Sequence, residues 1–384
     1  MEKFFAPCPR GLEGVLAGEL DSLGAQAPSP TPGGVAFAGP FTLCYRVNLE
    51  SRIASRVLWR VSASPYCSES DIYHAVQALP WSSWFSPRCT IKVTVNAQRC
   101  RLKSLDFITL RVKDAVCDRF RSVTGRRPSV ETSRPDIRIE VFLDEKDCLV
   151  YLDTSGEALF KRGYRRATVE APLRENLAAG LLTLAGWTPQ QTLLDPMCGG
   201  GTLLLEAVQI GRHVAPGLGR RFAFEQLSNF DREAWDELSN EARRHQTPAA
   251  PLAIYGSDRD GEAVGAARTN LETGGFGDSV TLDRVDILDL EPPAETGVMI
   301  MNPPYGVRLG DEDELAPFYP RLGDMLKQRF PGWCAYIFTA DPRVPKLIGL
   351  APSRKTPLFN GSLECRFYEF KMVRGPARRV LRRA

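Results

Sequence analysis

The apolar run Val298, Met299, Ile300 and Met301 passes directly into Asn302, Pro303, Pro304 and Tyr305, and this junction constrains the fold more than any other stretch. Apolar residues bounded by turn-formers read as a buried strand, and the two prolines mark where it ends. A buried strand of this kind belongs to an α/β sheet, which places its chemistry on loops outside the carboxyl ends of its strands.

The tetrad combines unlike groups. Asn302 offers a side-chain carbonyl, and two consecutive prolines fix φ and remove backbone donors, leaving bare carbonyls on a stiff loop. Tyr305 adds a flat face. Together they suit a planar base carrying an exocyclic amine, because two acceptors take both N–H hydrogens while the ring stacks. The blander alternative is a proline-stiffened turn in which Asn302 bonds its own backbone.

The surrounding sequence repeats the same grammar. Thr192, Leu193, Leu194 and Asp195 read as a strand, followed by the turn Pro196, Met197, Cys198, Gly199, Gly200, Gly201 and Thr202 and a helix over 203–210. Such a turn brings backbone N–H groups and a helix start up to a polar or anionic ligand. It is neither the G-x-G-x-x-G nicotinamide fingerprint nor a P-loop, since no Lys-Ser/Thr ends it.

A second unit runs from Ala253 to Asp258, with Asp260 opening the next helix. A carboxylate ending that strand can take both ribose hydroxyls of a nucleoside, and Asp258, which abuts the strand, fits better than Asp260. A third strand over 280–287 carries Asp286, placed to accept an adenine amino hydrogen. Each Asp alone reads as a cap or turn residue, whereas three carboxylates closing successive strands beside one Gly-rich loop read as a nucleoside pocket. Beyond the tetrad, the spacing predicts a helix over 314–330, a strand over 333–338 and a hairpin turning at Asn360-Gly361, giving a mostly parallel sheet with an antiparallel edge.

With 384 residues, 43% hydrophobic and 25% charged, the chain can bury a core and form two or three domains. It has no apolar stretch approaching the ~20 residues of a membrane span, and Pro7, Pro9 and Arg10 interrupt any leader-like start, which points to the cytosol. The ten cysteines include no C-x-x-C pair and are accompanied by three histidines, so neither a metal site nor a disulfide scaffold is expected. A net charge of +3 leaves a polyanionic partner to be judged from local clusters.

Residues 1–60 read as a small α+β segment: a helix from Gly11 to Leu20, a Pro-rich loop at 28–40 containing the strand Val35-Ala36-Phe37, and a helix leading into a strand over 41–61. A capping box at Ser68 to Asp71 opens a second α+β module. Strands over 90–95, 137–141 and 148–152 and a helix over 107–123 complete it.

The second module is rich in cations. Arg99, Arg101 and Lys103 precede the long helix, and Arg126 and Arg127 follow it, so phosphate contacts on one side are expected. A solvated helix face is the plain alternative. The connector over 160–166 places Lys161, Arg162 and Arg165 around Tyr164, as a linker or as a further nucleic-acid contact.

Asp195 to Thr202 followed by Asn302 to Tyr305 resembles the class I S-adenosylmethionine-dependent amino-methyltransferases. The basic module resembles a THUMP domain, and the layout resembles the RlmL/YpsC group of 23S rRNA guanine-N2 methyltransferases. The resemblance implies a ferredoxin-like segment at 1–60, a THUMP-like RNA-binding domain at 61–157, a Rossmann-like methyltransferase domain at 158–374 and a basic tail at 375–384. It also implies that Asp195, Cys198, Gly199, Gly201 and Thr202 line the methionine end of S-adenosylmethionine. Asp258 would hold the ribose, Asp286 with Ile287 the adenine, and Asn302, Pro303, Pro304 and Tyr305 the target base. Arg259 stands where relatives often carry an aliphatic residue packed on adenine, a role its stem can serve. Fused relatives carry a second methyltransferase domain, so only the N2 activity is expected of these residues. Rival readings are a tRNA guanine-N2 enzyme, an adenine-N6 methyltransferase, and a noncatalytic RNA-binding ribosome-assembly factor.

Overall fold

Alternating apolar residues build the first sheet. In Ile137–Leu143 (β6) residues 137, 139, 141 and 143 are buried while 138, 140 and 142 are half-buried, the period-2 pattern of a strand with one covered face. The structure, a computed structural model, describes residues 1–167, 173–247, 251–303 and 317–373. Pro304, Tyr305 and the basic tail lie outside the described residues.

The chain divides into two units. The first comprises Met1–Cys8, Leu16–Lys161 and Ala215–Arg244. Its sheet joins β1 (Glu2–Pro7), β2 (Gln26–Thr31), β3 (Gly34–Gly39), β4 (Leu58–Pro65), β5 (Ile91–Ala97), β6 and β7 (Asp147–Asp153) in the order β2-β3-β1-β4-β7-β6-β5. The two α+β segments read separately from sequence therefore share one sheet, continuous through the antiparallel pairing of Phe4 with Trp59 and Phe5 with Leu58.

The predicted Pro-rich loop is in part a strand. β2 carries Pro28 and Pro30 at the sheet edge, where a missing N–H costs no ladder bond on the open side, and its register shifts between Gln26 and Ser29. The long helix Leu105–Thr124 begins at Ser104, whose hydroxyl accepts from Phe107 N–H, and ends at Gly125, whose φ of 70° is left-handed. The capping box at Ser68 is present: its hydroxyl accepts from Asp71 N–H at 3.2 Å, and Asp71 accepts from Ser68 N–H at 2.8 Å.

Ala215–Arg244 lies within the sequence read as catalytic yet clusters with the first unit. Tyr45 packs on Phe224 with ring centroids 4.5 Å apart, and its hydroxyl accepts from Asp231 N–H at 2.9 Å. Arg220 donates to the carbonyls of Glu157, Ala158, Leu159 and Lys161. Four dispersed aromatics, Phe222, Phe224, Phe230 and Trp235, carry no strand or helix period, which is why sequence spacing did not reveal this association.

The second unit comprises Pro9–Val15, Arg162–Val214 and the described residues from His245 onward. Its strands are β8 (Leu193–Asp195), β9 (Ile254–Asp258), β10 (Thr281–Arg284), β11 (Val298–Met301), β12 (Cys334–Thr339), β13 (Arg354–Asn360) and β14 (Leu363–Lys371). They run in the order β10-β9-β8-β11-β12-β14-β13, with β10 to β12 parallel and the β13–β14 hairpin antiparallel. The hairpin turns at Gly361 with φ 64°, as the Asn-Gly pair predicts.

The order reverses at β8. The chain proceeds outward through β9 and β10, then returns to place β11 on the other side of β8, a topological switch point whose crevice opens at the carboxyl ends of β8 and β11. All four β11 residues are buried, as expected for a central strand covered on both faces.

Candidate functional site

Asp195 ends β8 and Asn302 follows β11, so the Gly-rich turn and the tetrad flank the crevice. Register places Val298 beside Leu193 and Met299 beside Leu194. The Asn302 side-chain oxygen is buried and has no hydrogen-bond partner among the described residues. A buried acceptor left unmade costs about 1–3 kcal/mol, so this oxygen is poised for an external N–H.

The Gly-rich turn is held by β9. Cys198 N–H donates to Ser257 O at 2.9 Å, Gly199 N–H donates to Asp258 Oδ2 at 3.0 Å, and Gly201 N–H closes back on Cys198 O at 2.8 Å. Gly201, with φ 77°, precedes the helix Thr202–Gly211; a Cβ there would lie 3.1 Å from the Ala267 Cβ on the helix Gly261–Thr273. Left-handed backbone and close approach both require glycine at this position.

Asp195 is buried and its carboxyl accepts from Met197 N–H at 3.2 Å. Burial, partly offset by that bond and reinforced by the charge of Asp258, pushes this carboxyl up to about 8. A buried acid with no cationic partner among the described residues fits an incoming ammonium group, the chemistry of a methionine end. Burial likewise pushes the Cys198 thiol well up, making it an inert lining group.

Asp258 also accepts from Asp260 N–H at 3.0 Å, and Asp260 caps the following helix through Glu262 N–H at 2.9 Å. Each Asp258 oxygen retains a lone pair for a hydroxyl donor. Asp286 differs from expectation in placement: β10 ends at Arg284, and Asp286 instead caps a short 3-10 turn, accepting from Leu288 N–H at 2.9 Å. Ile287 is buried beside it, while Arg259 is exposed.

The connector corrects two expectations. The Arg162 side chain is 2% exposed and pairs at 3.2 Å with Glu206, itself fully buried, so it is part of the interior and does not present a phosphate contact. The Arg165 guanidinium is spent on Glu175 at 3.0 Å, Leu173 O at 2.9 Å and the Thr202 hydroxyl at 3.2 Å. It therefore braces the start of the helix Thr202–Gly211. Burial raises the Glu175 carboxyl and the Arg165 charge works against that rise.

The remaining cations lie in the first unit and are exposed: Arg99, Arg101, Lys103, Arg126, Arg127 and Lys161. Arg101 pairs with Glu145 at 3.2 Å and Lys161 with Glu157 at 3.0 Å. Arg126 and Arg127 enter no ion pair among the described residues.

Sequence reading missed Asn270. Its Oδ1 accepts from Arg166 and Ala167 N–H at 2.9 and 3.0 Å, and its Nδ2 donates to Gly200 O at 3.0 Å and Ala167 O at 3.1 Å. The available signal was an amide on the apolar helix face of Val264, Ala267 and Leu271.

Three families match the chain in succession: the RlmL ferredoxin-like domain at residues 3–58, the THUMP domain at 66–153, and the RMKL-like methyltransferase domain at 162–369. A Synechocystis protein named as a candidate RNA methyltransferase is 40% identical, covering 96% of both chains. The ribosomal RNA large subunit methyltransferase K/L of Syntrophotalea carbinolica is 40% identical over 97% of this chain but 54% of its own length, so the chain spans about half of that relative. A candidate methyltransferase crystallised with S-adenosylhomocysteine superposes with a TM-score of 0.89 at 32% identity, covering 98% of this chain and 99% of that one.

Proposed function

Because this chain belongs to the RMKL-like methyltransferase family, carrying the family's THUMP and RlmL ferredoxin-like domains, we propose that it methylates the exocyclic N2 amine of a guanine in 23S rRNA. The methyl donor is S-adenosylmethionine, which supplies an electrophilic methyl on a sulfonium. The single observation that carries the chemistry is the buried Asn302 oxygen at the crevice, which has no hydrogen-bond partner among the described residues.

An aromatic exocyclic nitrogen shares its lone pair with the ring and is a poor nucleophile. In this reading, Asn302 Oδ1 and the Pro303 carbonyl accept its two N–H bonds and favour a pyramidal nitrogen whose lone pair points at the methyl. As the N–C bond forms and the S–C bond breaks, positive charge grows on nitrogen and strengthens both hydrogen bonds, so they act more in the transition state than in the ground state. The nitrogen then sheds one proton to solvent, and no strong base is required. Tyr305 is assigned the stacking role, worth about 1–3 kcal/mol in other base-binding proteins.

Asp195 is assigned to the donor's ammonium, Asp258 to its ribose hydroxyls and Asp286, flanked by Ile287, to its adenine amine; Gly199, Gly201, Cys198 and Thr202 shape the wall. A guanine within a helix must be unpaired or flipped to reach Asn302. The THUMP-containing segments supply RNA binding, with Arg99, Arg101, Lys103, Arg126 and Arg127 as phosphate contacts.

The test incubates the protein with labelled S-adenosylmethionine and total RNA from a deletion strain, then identifies labelled nucleosides by mass spectrometry. N2-methylguanosine in large-subunit rRNA is expected. Label in tRNA, or in N6-methyladenosine, would overturn the assignment.

A further inference from the structure

The Gly199–Gly201 turn has no side chains of its own to hold its shape, so its geometry must come from what lies beneath it. The helix Gly261–Thr273 provides two supports on one face. Ala267 is small enough for Gly201 to approach, its Cβ standing 3.1 Å from where a Gly201 Cβ would be. One turn further, Asn270 is buried and uses every hydrogen-bonding position of its amide that geometry allows.

Those bonds join two separate segments. Nδ2 donates to Gly200 O at 3.0 Å inside the turn and to Ala167 O at 3.1 Å in the connector, while Oδ1 accepts from Arg166 and Ala167 N–H. A second tie runs parallel, since Arg165 donates to the Thr202 hydroxyl at 3.2 Å. The same short connector is thus fastened to the turn at Gly200 and at Thr202. The Gly200 carbonyl shares one peptide plane with the Gly201 N–H, so orienting it toward Asn270 also fixes the bond by which that N–H closes back on Cys198 O at 2.8 Å.

We propose that Asn270 is a positioning residue for the methyl donor: by fixing the Gly200 carbonyl and tying it to Arg166 and Ala167, it holds the turn in the shape that receives the donor. The proposal rests on reading this turn as the S-adenosylmethionine site. Asn270 acts through the turn and touches neither the reacting methyl nor the target amine.

The discriminating substitution is Asn270→Asp, which preserves volume and both acceptor positions but removes the donors to Gly200 O and Ala167 O. Leaving those carbonyls unpaired and facing a carboxylate is expected to weaken S-adenosylhomocysteine binding by about tenfold or more. Binding is measured calorimetrically, with thermal melts confirming the fold, and steady-state kinetics separate the KM for S-adenosylmethionine from the KM for RNA. The donor KM should rise with the RNA KM within about twofold of wild type, a split that a general loss of packing would not give.

Should Asn270→Asp fail to fold, Asn270→Ser carries the same comparison, its hydroxyl being too short to span both segments. Unchanged S-adenosylhomocysteine affinity in the folded variant, or equal rises in both KM values, overturns the inference. Wild-type protein that binds no S-adenosylhomocysteine overturns the cofactor reading and this inference with it.

Discussion

At the residue scale the proposed chemistry turns on the Asn302 side-chain oxygen, which is buried and has no hydrogen-bond partner among the described residues. On the proposed mechanism, Asn302→Ala removes one of two acceptors for the target amine while leaving Asp195, Asp258 and the Gly-rich turn in place. Methyl transfer should fall by a factor of about 100 or more, as on loss of one preorganised electrostatic contact elsewhere. Calorimetric affinity for S-adenosylhomocysteine should remain close to wild type, and near-wild-type turnover would remove Asn302 from the mechanism.

Asp195 gives a prediction in pH. Its carboxyl is raised to about 8, so between roughly pH 4 and 8 the folded protein without ligand holds a proton there that the unfolded chain does not. The stability this contributes is complete below the unfolded value and is lost as pH rises through about 8. Pairing with an ammonium requires the carboxylate, so donor affinity should climb with pH up to about 8, by at most about tenfold per unit. Asp195→Asn should flatten that climb and weaken binding, yet give a ligand-free protein that melts higher than wild type at pH 8, the gap closing toward pH 4. Titration calorimetry and melting curves across pH check both arms; a climb that survives Asp195→Asn would exclude this residue as the ammonium partner.

At the scale of elements, the features legible in sequence were those with local causes. β11 was readable because Pro303 and Pro304 stop an apolar run, the β13–β14 hairpin because Asn360-Gly361 accepts a left-handed turn, and the Ser68 cap because its two hydrogen bonds span three residues. The carboxylates ending β8 and β9 were readable for the same reason. What was not legible depended on partners distant in sequence: the continuity of β1 with β4, the edge strand built through Pro28 and Pro30, and the association of residues 215–244 with Tyr45.

Arg162 shows the limit most sharply. Amid Lys161, Arg165 and Arg166 it reads as one more solvated cation, but Glu206, 44 positions later on an apolar helix, pulls it inside. Arg162→Met should therefore act on stability, costing about 3–5 kcal/mol because Glu206 is left buried without its cation. Adding Glu206→Leu should recover most of that loss, since removing both charges also removes their desolvation. Urea unfolding of the single and double variants decides the point, and a single variant as stable as wild type would return Arg162 to the list of candidate RNA contacts.

At the scale of the whole molecule, a net charge of +3 says little about an RNA partner, so any affinity must come from where the cations sit. Arg162 and Arg165 are committed within the methyltransferase unit, and Arg101 and Lys161 each face an acid. Arg126 and Arg127 are exposed after the left-handed Gly125 that stops the long helix, with neither in an ion pair among the described residues. They should contribute more to phosphate binding than their number suggests, because no acidic partner among the described residues must first be displaced. Replacing both with Ala should lower the slope of log affinity against log salt by about 1.4–1.8, taking about 0.7–0.9 per phosphate contact. Anisotropy titrations of an unmethylated 23S rRNA fragment at several salt concentrations measure that slope, and calorimetry should show unchanged S-adenosylhomocysteine affinity in the same variant. The same pair of replacements with an unaltered slope would mean that these arginines are solvated charge and that RNA is held elsewhere on the protein.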